Sequence, residues 1–166
     1  MKTGVAAAVL SFAIVSAQPG WAQEALVSHK VLSPDAALEL ARAALEACRT
    51  RGFQVAVAVV DRFGLPQVML RDRFAGPHTP STATGKAWTA VTFRTNTTAL
   101  LAPTQPGRPQ AGLRELPNVV LLGGGMLVER GGSVLGAVGV SGAPGGAEDD
   151  ACASAGLDAV RDRIEF

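Results

Sequence analysis

The nine residues from Phe53 to Asp61 constrain the fold more than any other stretch of the chain. They read FQVAVAVVD, and apolar, mostly β-branched residues fill both alternating faces from Val55 to Val60. A strand that is apolar on both faces is typical of the centre of a sheet. We therefore expect a central strand that helices cover on at least one side.

The segments on either side of this strand alternate between helical and extended patterns. Ser33 and Pro34 suit the N-cap and first position of a helix, whose apolar stripe continues to Cys48. The turn RFGLP and the run QVMLR follow the central strand and predict a hairpin. A second helix is predicted from Thr82 to about Phe93, and four prolines predict a loop over residues 102–117.

Glycine dominates the last third of the chain. Ten of the 19 glycines fall between Gly123 and Gly146, separated by long aliphatic residues. This pattern predicts strand, turn, strand, turn and strand over residues 118–142, followed by a closing helix. The complete order favours an α+β sandwich with one mostly antiparallel sheet of about five strands.

The N-terminus has the order of a secretory signal peptide. Lys2 precedes an apolar run from Val5 to Ala17, and a small-x-small pattern ends at Ala22. The run is about 13 residues long, whereas a membrane crossing needs about 20. We expect cleavage after Ala22, one domain over residues 23–166, and a periplasmic or secreted location.

Charge and cysteine content limit the classes of partner. Without residues 1–22 the chain has 14 basic and 14 acidic residues, with no basic run, so nucleic acid and anionic membrane surfaces are poorly supported partners. Cys48 and Cys152 lie on two predicted helices. They would form a disulfide if these helices pack side by side, and would otherwise be two buried thiols.

His78 is the best candidate for a metal ligand. Thr79 suits a helix N-cap and Pro80 the first helical position, which places His78 just outside a helix N-terminus on a stiff loop. The positive end of a helix disfavours a charged imidazole, and a neutral imidazole is a good axial donor to haem iron. Thr79 is the reserve oxygen donor. The alternative is a turn histidine without any ligand.

Groups near His78 in sequence suit an anionic, flat and apolar ligand. Arg71, Lys86 and Arg94 can hold carboxylates, and Phe93 offers an aromatic face. The alternative is that Arg71 pairs with Asp72 or Asp61 at the surface, while Lys86 and Arg94 lie on a solvated face. Enzyme signatures are absent from the sequence: GGGMLV does not match the dinucleotide fingerprint, and GVSGA does not match the nucleophile elbow.

Three motifs together resemble one known family. They are VAVVDRFGLPQVMLRD, TATGKAWTAVTF and GGGMLVERGGSVLGAVGVSGAPGGAEDDACASAG. Over roughly residues 31–163 the chain resembles the GlcG/HbpS-like haem-binding family, which also occurs as the C-terminal domain of PduO-type corrinoid adenosyltransferases. The resemblance implies a profilin-like sandwich, homo-oligomers, binding of haem or a related tetrapyrrole, and no catalysis of its own. For exported members it implies haem sequestration or sensing.

One motif departs from the family pattern. Many relatives carry arginine-x-aspartate-glycine-alanine after the second strand, whereas this chain has RDRFA at residues 71–75. His78 is therefore the predicted ligand by its chemistry and not by a matched position.

Two other functions stay open. One is an oligomeric accessory protein of a sensor or transport partner, without cofactor and using the loop at 102–117. The other is a binder of small organic acids through Arg71 and Lys86.

Overall fold

The computed structural model describes residues 26–164, so the predicted signal peptide lies outside the described residues. The elements are four helices and four strands, with two short 3-10 turns at Ala111–Glu115 and Arg161–Arg163. The helices are α1 (Pro34–Thr50), α2 (Thr79–Phe93), α3 (Thr97–Leu100) and α4 (Gly146–Val160), and the strands are β1 (Ala56–Asp61), β2 (Pro66–Arg71), β3 (Gly125–Arg130) and β4 (Ser133–Ser141).

The strands form one antiparallel sheet in the order β2-β1-β4-β3. The first five residues of β1 are buried, and the strand is central, as its two apolar faces predicted. Because side chains alternate along a strand, Val57 and Val59 face one side of the sheet while Ala58 and Val60 face the other.

Helices cover both faces of this sheet. The α1 and α4 helices pack against each other and on the face that carries Val57 and Val59. Ser33 caps α1 by accepting a hydrogen bond from Ala36 N at 3.2 Å. Cys48 and Cys152 form a disulfide between these two helices, which confirms the first of the two alternatives for these cysteines. The α2 helix lies on the opposite face.

Small residues allow α2 to approach the sheet closely. A Cβ at Gly139 of β4 would collide with the carbonyl oxygen of Ala83 in α2 and lie 2.8 Å from Ala87 N. The alanines of α2 thus pack almost directly on the strand backbone. The predicted α+β sandwich is confirmed.

The expected count of five strands is wrong by one. The apolar run at residues 119–122 is not a strand; it packs beside α2, with Val120 N donating to Thr89 Oγ1 at 2.9 Å. Asn118 has φ +67° and Gly124 has φ +110°, so the chain turns sharply at both ends of this run. The sheet begins only at Gly125.

Residues 102–117 connect α3 to this run as predicted, and include the 3-10 turn at Ala111–Glu115. Arg114 holds the loop together by donating to the carbonyl oxygen of Thr104 at 2.6 Å. Within residues 26–164, no helix is long and apolar enough to span a membrane.

Candidate functional site

A cleft of about 620 Å³ opens where α2 and α4 begin. The lining includes the loop before α2 and the segment 142–146, which links β4 to α4 and is called the glycine wall below. The floor carries the buried, charged side chains of Lys86 and Asp149. The lining residues are Gly52, Phe53, Gln54, Phe74, Gly76, His78, Thr79, Lys86, Leu122, Ser141, Gly142, Ala143, Pro144, Gly145, Gly146 and Asp149.

The structure places His78 at the rim of this cleft. The residue is exposed, stands immediately before α2 and makes no capping hydrogen bond with its side chain. A Cβ at Gly76 would lie 2.8 Å from His78 Cε1 and 2.9 Å from Nδ1, so the imidazole occupies space that only glycine leaves free. Nε2 lies outside this close contact. An exposed imidazole nitrogen at the rim of a cleft has the donor chemistry of a ligand to iron.

The predicted N-cap at Thr79 is wrong, because α2 begins one residue earlier than expected for that role. Thr79 is the first helical residue and His78 holds the cap position. The Thr79 hydroxyl instead donates to the carbonyl oxygen of Gly76 at 2.8 Å, and the residue is almost fully buried. Thr79 thus fixes the loop that carries His78, and its hydroxyl is buried, whereas His78 is exposed.

Lys86 lies on the floor of the cleft, in a buried ion pair. Its Nζ is 2.6 Å from Asp149 Oδ2 and donates to the carbonyl oxygen of Val140 at 2.9 Å. Burial raises the pKa of the Asp149 carboxyl above its ordinary value, although the hydrogen bond and charge of Lys86 oppose that shift. Lys86 was predicted to hold a carboxylate of the ligand. In the structure its ammonium group already binds two internal acceptors.

Gly124 makes this pair possible. A Cβ there would lie 2.5 Å from the Val140 carbonyl oxygen, 2.7 Å from Asp149 Cβ and 3.0 Å from Lys86 Nζ. Its positive φ is also a conformation that other residues rarely adopt. The glycine-rich sequence before β3 thus serves close packing around a buried charge.

Arg71 lies near the cleft but does not line it. Its guanidinium donates to the carbonyl oxygen of Ala75 from both Nε, at 3.1 Å, and Nη2, at 2.6 Å. It thereby closes the loop between β2 and α2. The neighbouring Asp72 accepts two hydrogen bonds from Arg49 of α1, so the alternative of an Arg71–Asp72 surface pair is wrong.

Phe93 and Arg94 lie at the other end of α2. The helix has 15 residues, a length of about 22 Å at 1.5 Å per residue. Phe93 lines a separate cleft of about 570 Å³, and the exposed Arg94 ends the helix in a left-handed conformation. The structure therefore brings His78, Thr79 and Lys86 together and separates Phe93 and Arg94 from them.

Asp149 and the glycine wall were not predicted as site residues from the sequence. Asp149 belongs to the acidic start of α4, which favours the helix dipole and so has an ordinary explanation. The available signal was spacing: Asp149, Cys152, Ala153 and Gly156 share one helical stripe, and all four are buried. An acid on a buried stripe requires a buried partner.

Comparisons with known proteins place the chain in a family. The family described as "Haem degrading protein HbpS-like" matches residues 32–158. The chain belongs to this HbpS-like family, which confirms the resemblance of its motifs.

Individual relatives agree with this assignment. Streptomyces reticuli HbpS, solved as a double mutant, is 36% identical with a TM-score of 0.76, over 90% of this chain and 97% of that one. A structure described as a PduOC:heme complex is 34% identical with a TM-score of 0.74, over 78% and 94%. Corrinoid adenosyltransferase PduO of Salmonella typhimurium is 37% identical over 114 residues, which are 68% of this chain. The chain spans only 33% of PduO, about a third of its length.

Proposed function

We propose that this protein binds haem in the cleft at the start of α2 and α4, with His78 as a ligand to the iron. The observation that carries the proposal is the rim of the cleft. An exposed histidine stands there with two large exposed apolar side chains, Phe74 (78% exposed) and Leu122 (55%). Exposed apolar groups around a concave site are typical of ligand binding.

The remaining features of the cleft suit a flat apolar ligand. Phe53, Ala143 and Pro144 add further apolar surface, and the volume of about 620 Å³ is within the range of cofactor sites. Haem would supply an iron centre that accepts an axial nitrogen donor. The PduOC:heme complex, a relative of similar fold, supports haem as the tetrapyrrole in question.

Hemin titration tests this proposal. The wild-type chain should give a Soret band that saturates at a fixed stoichiometry, and His78→Ala should lose it. His29→Ala is the matched control, because His29 is the second of two histidines and contacts Phe63 outside the cleft. Equal titrations of the two variants would contradict ligation by His78. A wild-type protein without saturable binding would contradict the function.

The same spectra test whether the protein only binds haem. The sequence predicts no catalysis, whereas the family description names haem degradation. We propose binding for sequestration or sensing. A Soret band that is stable for hours in the presence of a reductant and oxygen would support this role. Bleaching that requires the protein would contradict it.

We further propose that the protein is exported. Disulfides persist in oxidising compartments, and the Cys48–Cys152 bond therefore supports a periplasmic or secreted location, as does the predicted signal peptide. Mass spectrometry of the protein from the periplasm or medium should find Gln23 at the N-terminus. Retention in the cytoplasm with residues 1–22 attached would contradict export.

Self-association is the remaining part of the proposal. Several large apolar residues lie exposed on the hairpin of β1 and β2, among them Phe63 (66%), Leu65 (64%) and Met69 (39%). Exposed apolar patches of this kind are typical of interfaces. Light scattering should find a homo-oligomer, and a monomer at micromolar concentration would contradict it.

The two alternatives from the sequence receive less support. A clamp for small organic acids needs Arg71 and Lys86, but both donate to internal acceptors. An accessory role without cofactor would leave the exposed rim of the cleft without a purpose. Neither alternative explains His78 as well as haem does.

A further inference from the structure

One buried ion pair connects the two helices that begin at the cleft. Lys86 belongs to α2 and Asp149 to α4, and their side chains are only 3% and 5% exposed. The ammonium group also binds the Val140 carbonyl oxygen near the end of β4. Three elements thus meet at one buried charge.

The carboxylate continues this connection into the glycine wall. Asp149 Oδ1 accepts a hydrogen bond from Ala143 N at 3.1 Å, while Oδ2 holds Lys86. The adjacent Asp150 accepts from Gly124 N at 2.5 Å, which fixes the chain on the other side of the pair. The glycine wall is therefore tied to the floor of the cleft through Asp149.

We propose that Asp149 is a positioning residue for the ligand: its carboxylate, paired with Lys86 on the floor of the cleft, holds the glycine wall in place through Ala143 N. This inference rests on the proposed haem-binding function. It assigns the pair to the geometry of the cleft and not to contact with the ligand's carboxylates.

General energetics support a geometric role. Burying two charges costs desolvation free energy, so a buried ion pair is often no more stabilising than apolar residues of similar size. What apolar residues cannot replace is the acceptor for the Ala143 N–H. The hydrogen bond from Ala143 is thus the contact through which the pair acts on the wall.

Two double variants separate this role from general stability. Lys86→Met with Asp149→Leu removes both charges and the acceptor, whereas Lys86→Met with Asp149→Asn removes both charges but retains an amide oxygen for Ala143. If the leucine variant does not fold, Asp149→Ala in its place gives the same comparison. Arg163→Gln is the control, because it breaks an exposed pair with Glu39 and neither residue lines the cleft.

Hydrogen exchange at Ala143 gives a readout that does not need haem. Loss of one hydrogen bond predicts exchange about tenfold faster in the leucine variant and near wild type in the asparagine variant. Hemin affinity should follow the same order, with the leucine variant about tenfold weaker and the asparagine variant and Arg163→Gln within about threefold of wild type.

The outcomes are distinguishable. Unchanged exchange in the leucine variant overturns the positioning role. Equal losses of affinity in both double variants, in proportion to their stability, also overturn it. If the wild-type protein binds no hemin, the proposed function fails, and the exchange data alone then decide whether the pair holds the wall.

Discussion

The disulfide between α1 and α4 should account for a large part of the stability of this domain. Cys48 and Cys152 are both fully buried, and the bond closes a loop of 104 residues. In the chain-entropy treatment, a loop of this length restricts the unfolded state by about 4.7 kcal/mol at 25 °C. Single domains have only about 5–15 kcal/mol of total stability.

Urea unfolding of the variant with Cys48→Ala and Cys152→Ala measures this contribution. We expect its free energy of unfolding to be about 3–5 kcal/mol below that of the oxidised protein. The reduced wild-type protein is the matched control, because it keeps both sulfur atoms in the core and loses only the cross-link. Reduction and substitution should then cost similar amounts, with a small cavity term for the alanines.

The same experiment can refute this reasoning. If reduction changes the free energy of unfolding by less than about 1 kcal/mol, the unfolded chain is not restricted as the loop length requires. If only the alanine variant is destabilised, packing of the sulfur atoms and not the cross-link is responsible.

Three further predictions concern packing, helix capping and electrostatics. Gly139→Ala should lower the free energy of unfolding by about 1–3 kcal/mol, because the added Cβ collides with the Ala83 carbonyl oxygen. Gly112→Ala is the control: a Cβ there has no atom within 4 Å, and the same urea titration should show little effect. Ser33→Ala should cost about 1 kcal/mol through loss of the N-cap, and an unchanged urea midpoint would contradict that. The raised pKa of Asp149 means that the folded state binds its proton at pH values where the unfolded chain has lost it. Stability should therefore fall as pH rises from the ordinary aspartate value of 3.8, and Lys86→Met with Asp149→Asn should remove that slope; an identical pH profile would contradict the assignment.

Features of the fold that depend on local chemistry could be predicted from the sequence. The helix start at Ser33 needs only a hydroxyl followed by proline, and the central position of β1 follows from its two apolar faces. The missing fifth strand did not depend on local chemistry. The run at 119–122 is as apolar as a strand, and its place beside α2 depends on a hydrogen bond from Val120 to Thr89, 31 positions away.

The candidate site shows the same division. His78, Thr79 and Lys86 lie within nine residues at the start of one helix, so nearness in sequence gave nearness in space. Arg94 lies eight residues beyond Lys86, at the end of that helix, and does not line the cleft, so nearness in sequence was not enough there. The partner of Lys86 is 63 positions away, on α4, and local sequence patterns do not predict how that helix packs against α2.

The position of Lys86 also decides how a bound haem would hold its propionates. Lys86 and His78 are the basic side chains that line the cleft in residues 26–164, and Lys86 is committed to Asp149. Arg51 and Arg73 do not line the cleft, but they lie over the rings of the lining residues Phe53 and Phe74 at 5.5 and 5.7 Å and are exposed. Exposed ion pairs contribute about 0–1 kcal/mol, so the dimethyl ester of hemin should bind within about fivefold of hemin itself, with little effect of salt. A loss of a hundredfold or more on esterification would mean that a buried cation faces the propionates, and Lys86 would then have to leave Asp149 when the ligand binds.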